Sequence, residues 1–280
     1  MINSLVVLTD FFAETNRALS YAAGLAVPLD AQLVLLHVRY DGLPVPEGFQ
    51  DQHSPQDELK TRQALLHLAA DQTVPTEVDI AAGFLPSAVR EAIVRHQPLF
   101  LVLARPDAAP DPADMLTNVV MDVLRHVPHP LLLVPTVGVT PFPPRHLLLA
   151  VDGQPFTFND LHHQQVLSQL LHASQATLDV VHVSPDQQTQ PVEGALMQTL
   201  RANGLANTLT ETRLHEVYHS TVADGVLEEV AHQNADMLVV VARRHTLLGN
   251  LFHRSITAQL ITQSPISVLV LPAEDWVAIS

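Results

Sequence analysis

Two stretches of the chain follow one plan. Met237 to Pro272 reads MLVVVARRHTLLGNLFHRSITAQLITQSPISVLVLP, and Phe100 to Pro135 reads FLVLARPDAAPDPADMLTNVVMDVLRHVPHPLLLVP. Each is an apolar run, a polar loop, a helix-like segment and a second apolar run led by proline. That order is a βαβ unit, and its loop falls at the carboxyl end of a strand, where open α/β sheets bind ligands. Both copies place Ala-Arg just past the first run, at Ala104-Arg105 and Ala242-Arg243. The repeat extends outward. Ser4 to Thr9 and His146 to Val151 are apolar runs closed by an acid, Asp10 or Asp152. Gln32 to Val38 and Thr177 to Val183 follow as second strands, with His37 and His182 in matching places.

Between these runs the apolar positions recur at helical spacing. Helices are expected over 14–27, 56–70, 87–96, 192–203 and 222–234, and short strands over 77–81 and 210–219. Strands alternating with helices, twice over, predict two α/β domains with parallel sheets. The expected boundaries are 1–136 for the first domain and 146–273 for the second. A proline-rich linker, 137–145, lies between them.

Composition narrows the function. Of the 280 residues 47% are hydrophobic and 15% charged, which suits two packed cores. The formal net charge is −15, and Lys60 is the only lysine. Nucleic acid and anionic membrane surfaces both need a basic face, so neither is an expected partner. Without cysteine there is no disulfide or thiol chemistry. The N-terminal MINSLVVLTD lacks the basic start of a signal peptide, and no run reaches the about 18 apolar residues that span a bilayer. A cytoplasmic location is expected.

With that order established, each half resembles a universal stress protein domain. The residues that carry the resemblance are the first strands ending in Asp10 and Asp152 and the LLHV and VVHV second strands. The closing segments VLRHVPHPLLLVP and QLITQSPISVLVLP complete it. The resemblance implies a doubly wound, five-stranded parallel sheet of order 3-2-1-4-5 in each half, of the adenine-nucleotide alpha-hydrolase type. It also implies pairing of the last strands across a dimer interface. In a tandem chain the two halves can make that pairing internally, as a pseudo-dimer, and a further homodimer remains open.

Nucleotide-binding members carry Gly, two residues, Gly, nine residues, then Gly and Ser or Thr. Glycines let backbone N–H groups approach phosphate, and the closing hydroxyl sits at a helix N-terminus that favours anions. The first half keeps the spacing without the glycines, with Ala104, Asp107, Thr117 and Asn118 in those places. Asp107, Asp111 and Asp114 would repel a triphosphate, and Pro106, Pro110 and Pro112 lack N–H donors. This half, with Asp10 followed by two phenylalanines, is expected to be a degenerate site.

The second half has Ala242 and His245, then Arg254-Ser255 at the closing position. Arg243, Arg244, His245, His253 and Arg254 gather cations on one loop of an acidic chain, with Ser255 as a potential helix N-cap. Two readings stand. The loop holds an anion such as the phosphates of ATP or AMP, with Asp152 toward the base or ribose. Alternatively, its side chains pair with nearby carboxylates, and Asp152 caps the turn that follows it.

Metal and catalytic readings have less support. His215 and His219 fall four apart on a strand, too far to share an ion. His162 and His163 are helix neighbours whose side chains point in different directions. His37 and His182 read as core histidines. No nucleophile elbow, Walker A loop or metalloprotease helix is present. The expectation is a non-catalytic stress-type protein acting by ligand binding or association, with no resident metal and no certain cofactor.

Overall fold

The computed structural model describes residues 3–9, 13–39, 55–105, 123–136, 142–158, 161–185, 193–205, 213–243 and 256–275. The first half runs β1 (Asn3–Leu8), α1 (Ala13–Ala26), β2 (Ala31–Arg39), α2 (Pro55–Ala70) and β3 (Thr76–Ala82). It continues with α3 (Leu85–His96), β4 (Phe100–Arg105) and β5 (Leu131–Pro135). The second half runs β6 (His146–Val151), β7 (Phe156–Phe158), α4 (Leu161–Ser174), β8 (Thr177–Ser184) and α5 (Glu193–Ala202). It ends with β9 (Leu214–Tyr218), α6 (Val222–His232), β10 (Met237–Arg243), α7 (Ile256–Gln263) and β11 (Ser267–Asp275).

The strands form one sheet of order β3-β2-β1-β4-β5-β11-β10-β6-β8-β9, with β7 set beside β11. Each half therefore has the 3-2-1-4-5 order, and within each half those five strands pair in parallel. The halves meet through their last strands. β5 and β11 run antiparallel, with Leu131 to Leu133 opposite Val268 to Val270.

The continuous apolar runs find their reason in this arrangement, because strands covered on both faces need no polar alternation. In β1, Leu5 and Val7 enter one core layer with α1, α4 and α5. Val6 enters the other, with α3, α6 and α7. Each layer extends across both halves, so the two domains share their cores.

At the junction, Tyr21 of α1 meets Phe142 edge-on, with ring centroids 5.8 Å apart. The Tyr21 hydroxyl is buried toward Ser267 of β11. Burial pushes its pKa up to about 12, with Ser267 opposing and Asp236 adding a smaller rise.

Three details differ from expectation. The strand expected over 210–219 is described only as β9, 214–218. The last strand continues past Pro272 to Asp275, and β7 was not expected. These two are linked: Ala273, Glu274 and Asp275 pair antiparallel with Phe158, Thr157 and Phe156. Asn203, only 1% exposed, holds β7 in place. It accepts from the Phe158 N–H at 2.8 Å, and its Nδ2 donates to the Phe156 and Thr199 carbonyls at 2.9 and 2.8 Å.

Candidate ligand cleft at the strand ends of the second half

A cleft of about 310 Å³ opens where β6 and β10 end and α6 and α7 begin. β6 supplies Ala150 and Val151, β10 supplies Val240 and Val241, and the helices supply Val222, Val226, Ile256, Thr257 and Leu260. Among the described residues only Thr257 and two charged residues, Asp152 and Arg243, break the apolar lining. The parallel register of β6 and β10, with Val240 opposite Ala150, brings those two charges together.

Asp152 ends β6 in a turn rather than a continued strand. Its Oδ1 accepts from the Gln154 N–H at 3.0 Å, and Gly153 follows at φ 77°, a conformation glycine adopts without strain. The turn points the carboxylate back at β10. Arg243 donates to it through Nε and Nη2, both at 2.9 Å. The same guanidinium donates to the carbonyls of Pro155 at 2.9 Å and Gln154 at 2.7 Å. Two parallel N–H···O bonds are the strong, direction-fixing form of an arginine–carboxylate pair. The burial is uneven: the Arg243 side chain is 6% exposed and that of Asp152 55%. The cation lies inside and the anion sits at the rim.

Among the residues singled out from the sequence, Asp152 and Arg243 thus come together, and they are bonded to each other. Ala242 is buried in β10 opposite Pro272. His245, Arg254 and Ser255 lie outside the described residues. In the first half Ala104 is half-buried in β4, opposite Val134. Asp10, Asp107, Thr117 and Asn118 lie outside the described residues. The arginine matching Arg243 takes a different course: Arg105 donates across the junction to the Ile261 carbonyl of α7, at 3.1 Å.

Sequence reasoning did not single out the aliphatic walls of the cleft. The spacing of Val222 and Val226 on one helix face gave no sign that this face also borders a cavity.

The histidines have local partners. The His37 Nδ1 donates to the Thr9 carbonyl at 3.0 Å. His162 and His163 both reach His129, with ring centroids 5.5 and 5.8 Å away, so helix neighbours converge on one ring. The two rings meet His129 differently, that of His162 stacked and that of His163 edge-on. Among the described residues no group of three or more His, Asp or Glu is placed to hold a metal ion.

Two doubly wound five-stranded units, joined through their last strands and open at the strand ends, make this a tandem α/β protein. The chain belongs to the universal stress protein family, whose model matches residues 1–135 and again 144–272. It is 30% identical over 114 residues to the "Universal stress protein E homolog" of Haemophilus influenzae, a match covering 41% of this chain and 29% of that protein. The chain thus spans less than a third of that relative's length. A universal stress protein structure from Archaeoglobus fulgidus superposes with a TM-score of 0.72 at 18% identity, covering 97% of this chain and 99% of that one. A Pseudomonas aeruginosa protein of unknown function gives 0.56 at 16% identity, covering 97% and 92%. At these identities the structures show the shared fold. Among the described residues no helix is long and apolar enough to cross a membrane.

Proposed function

We propose that this chain is a non-catalytic stress-response protein that works by ligand binding or protein association, with nucleotide motifs degenerate in both halves. One observation carries the reading. The cation positioned at the end of β10 is already neutralised, because Arg243 is buried against Asp152 and two carbonyls. A phosphate there would have to break a bidentate pair that the fold supports from three sides. The aliphatic lining supports the same reading, since it offers shape and burial rather than charge.

A second reading rests on a different observation. The Asp152 carboxylate is more than half exposed at the cleft rim, with accepting capacity left for a hydroxyl or amine of a nucleoside. Arg244, His245, His253 and Arg254 follow in the sequence and would supply phosphate contacts. ATP or AMP in the second half is then the ligand, and the chain is a nucleotide sensor rather than a scaffold.

Isothermal titration with Mg²⁺-ATP, then AMP, separates the two. The first reading expects no saturable heat at millimolar nucleotide. Saturable binding near one site per chain, lost in Arg254→Ala, would overturn it and establish the second. Two equal sites would show that the acidic loop of the first half also binds.

A further inference from the structure

The hydrogen bonds at the cleft rim decide which head group fits there. A carboxylate has about four acceptor sites on its two oxygens. Asp152 Oδ1 accepts from the Gln154 N–H and from Arg243 Nη2, and Oδ2 accepts from Arg243 Nε. One site remains on Oδ2, in a side chain that is 55% exposed. Arg243 is committed the other way. It donates four hydrogen bonds into the turn, to both Asp152 oxygens and to the Gln154 and Pro155 carbonyls, and it is buried. The rim therefore presents an acceptor, while its cation is turned into the protein.

That balance sorts head groups. An anion would face the Asp152 carboxylate with Arg243 already paired. An ammonium would meet a carboxylate whose charge Arg243 offsets, beside the first turn of α7. Ile256 and Thr257 of that turn line the cleft, and the positive end of a helix disfavours cations. A hydroxyl incurs neither cost. It donates to Oδ2 and carries no charge of its own.

The walls sort the rest of the ligand. None of the described lining residues is aromatic, so none of them stacks on a planar base. The valine, isoleucine and leucine walls instead favour chain carbons, and each buried CH₂ raises affinity about fourfold. A dry cavity of about 150 Å³ takes one benzene ring. The cleft, at about 310 Å³, has room for a chain of about eight to ten carbons.

We propose that this cleft binds a neutral aliphatic alcohol of about eight to ten carbons, its hydroxyl on Asp152 Oδ2 and its chain between β6, β10, α6 and α7. The proposal rests on the first reading above, in which the second half holds no phosphate. Arg243 is then a positioning residue, because it aims the carboxylate and takes up three of its acceptor sites.

Titration of the full chain with 1-octanol, followed by methyl NMR at pH 7, tests the site. Saturable shifts are expected at Val226, Val240 and Leu260. 1-Hexanol should bind about tenfold more weakly, for two fewer CH₂ groups. Octyl methyl ether lacks the donated proton, and it should also lose about tenfold. Octanoate and octylammonium should both bind more weakly than the alcohol. Absence of saturable shifts with 1-octanol would overturn the proposal. So would an ether, carboxylate or amine that binds as tightly.

Val222→Phe fills the cleft from the half-buried start of α6 and should abolish the octanol shifts. Should that variant fail to fold, Ile256→Trp does the same from an exposed position. Full affinity in a folded variant would place the alcohol elsewhere and overturn the assignment. Mg²⁺-ATP titrated in parallel separates the two failures. Nucleotide bound with octanol refused would overturn the first reading of function together with this inference. With neither bound, that reading stands and this inference alone falls.

Discussion

Arg243 is bonded twice to Asp152, through Nε and Nη2 at 2.9 Å, with the cation buried and the anion at the rim. That unevenness makes the two partners unequal when removed. Asp152→Ala takes the carboxylate from a guanidinium that is only 6% exposed, while the Pro155 and Gln154 carbonyls still accept from it. Arg243→Met leaves a carboxylate that solvent can hydrate, and its aliphatic chain still fills the space. The first should cost about 3 kcal/mol and the second about 1 kcal/mol, both by chemical denaturation. Equal losses would mean that the arginine is more open to water than its surroundings indicate.

Asn203 offers a second test, because three hydrogen bonds converge on one buried amide. Asn203→Ala leaves the Phe158 N–H and the Phe156 carbonyl without those partners beneath β7. A loss of about 3 kcal/mol is expected. Hydrogen exchange at the Phe158 amide should accelerate more than exchange at Val239 in the centre of β10. Uniform acceleration would instead indicate general loosening.

What was legible in the sequence follows from these two sites. The parallel strands were readable because burial on both faces writes an uninterrupted apolar run, as in Met237 to Ala242. β7 was not, because three residues after a proline give no periodicity, and its support comes from Asn203, 45 residues on. The cations near the end of β10 were visible as a group. Which of them turns inward depends on the register of β10 against β6, and register is set by the sheet rather than by the loop. His162 and His163 illustrate the same limit: adjacent helix positions diverge, yet His129 of the other half meets both.

Gly225 lies in α6, where a methyl group would come within 2.8 Å of both His219 Cβ and Val183 Cγ1. In an open helix, Gly→Ala stabilises by about 1 kcal/mol. Here the overlap is with a strand side chain and with the first carbon of another, neither of which swings away freely. Gly225→Ala should therefore destabilise by about 1–2 kcal/mol net of that propensity gain, seen as a lower melting temperature. Because α6 would be pushed off β8, Val222 and Val226 should shift as well. Chemical-shift changes reaching Ala150 and Val151 across the cleft would confirm the movement, and changes confined to Val183 and His219 would show that the helix stays in place.

Tyr21 ties a pH dependence to the junction of the halves. Its hydroxyl is buried beside Ser267, and burial raises its pKa from 10 to about 12. The folded state therefore keeps the phenol proton over a range where the unfolded chain gives it up. The stability this provides is complete below pH 10 and is lost as pH rises from 10 toward 12, at most roughly 2–3 kcal/mol. Ser267 lies near enough to temper its pKa, but among the described residues the buried hydroxyl makes no hydrogen bond of normal geometry, so Tyr21→Phe should be close to neutral at pH 7. Denaturation of both proteins at pH 7, 10 and 11.5 checks the pair of statements. The wild type should lose more than the variant between pH 10 and 11.5, because only the wild type has this proton to release. A parallel decline would mean that other groups govern the alkaline limit, while a variant destabilised by more than about 1 kcal/mol at pH 7 would show that the hydroxyl is held by Ser267 after all.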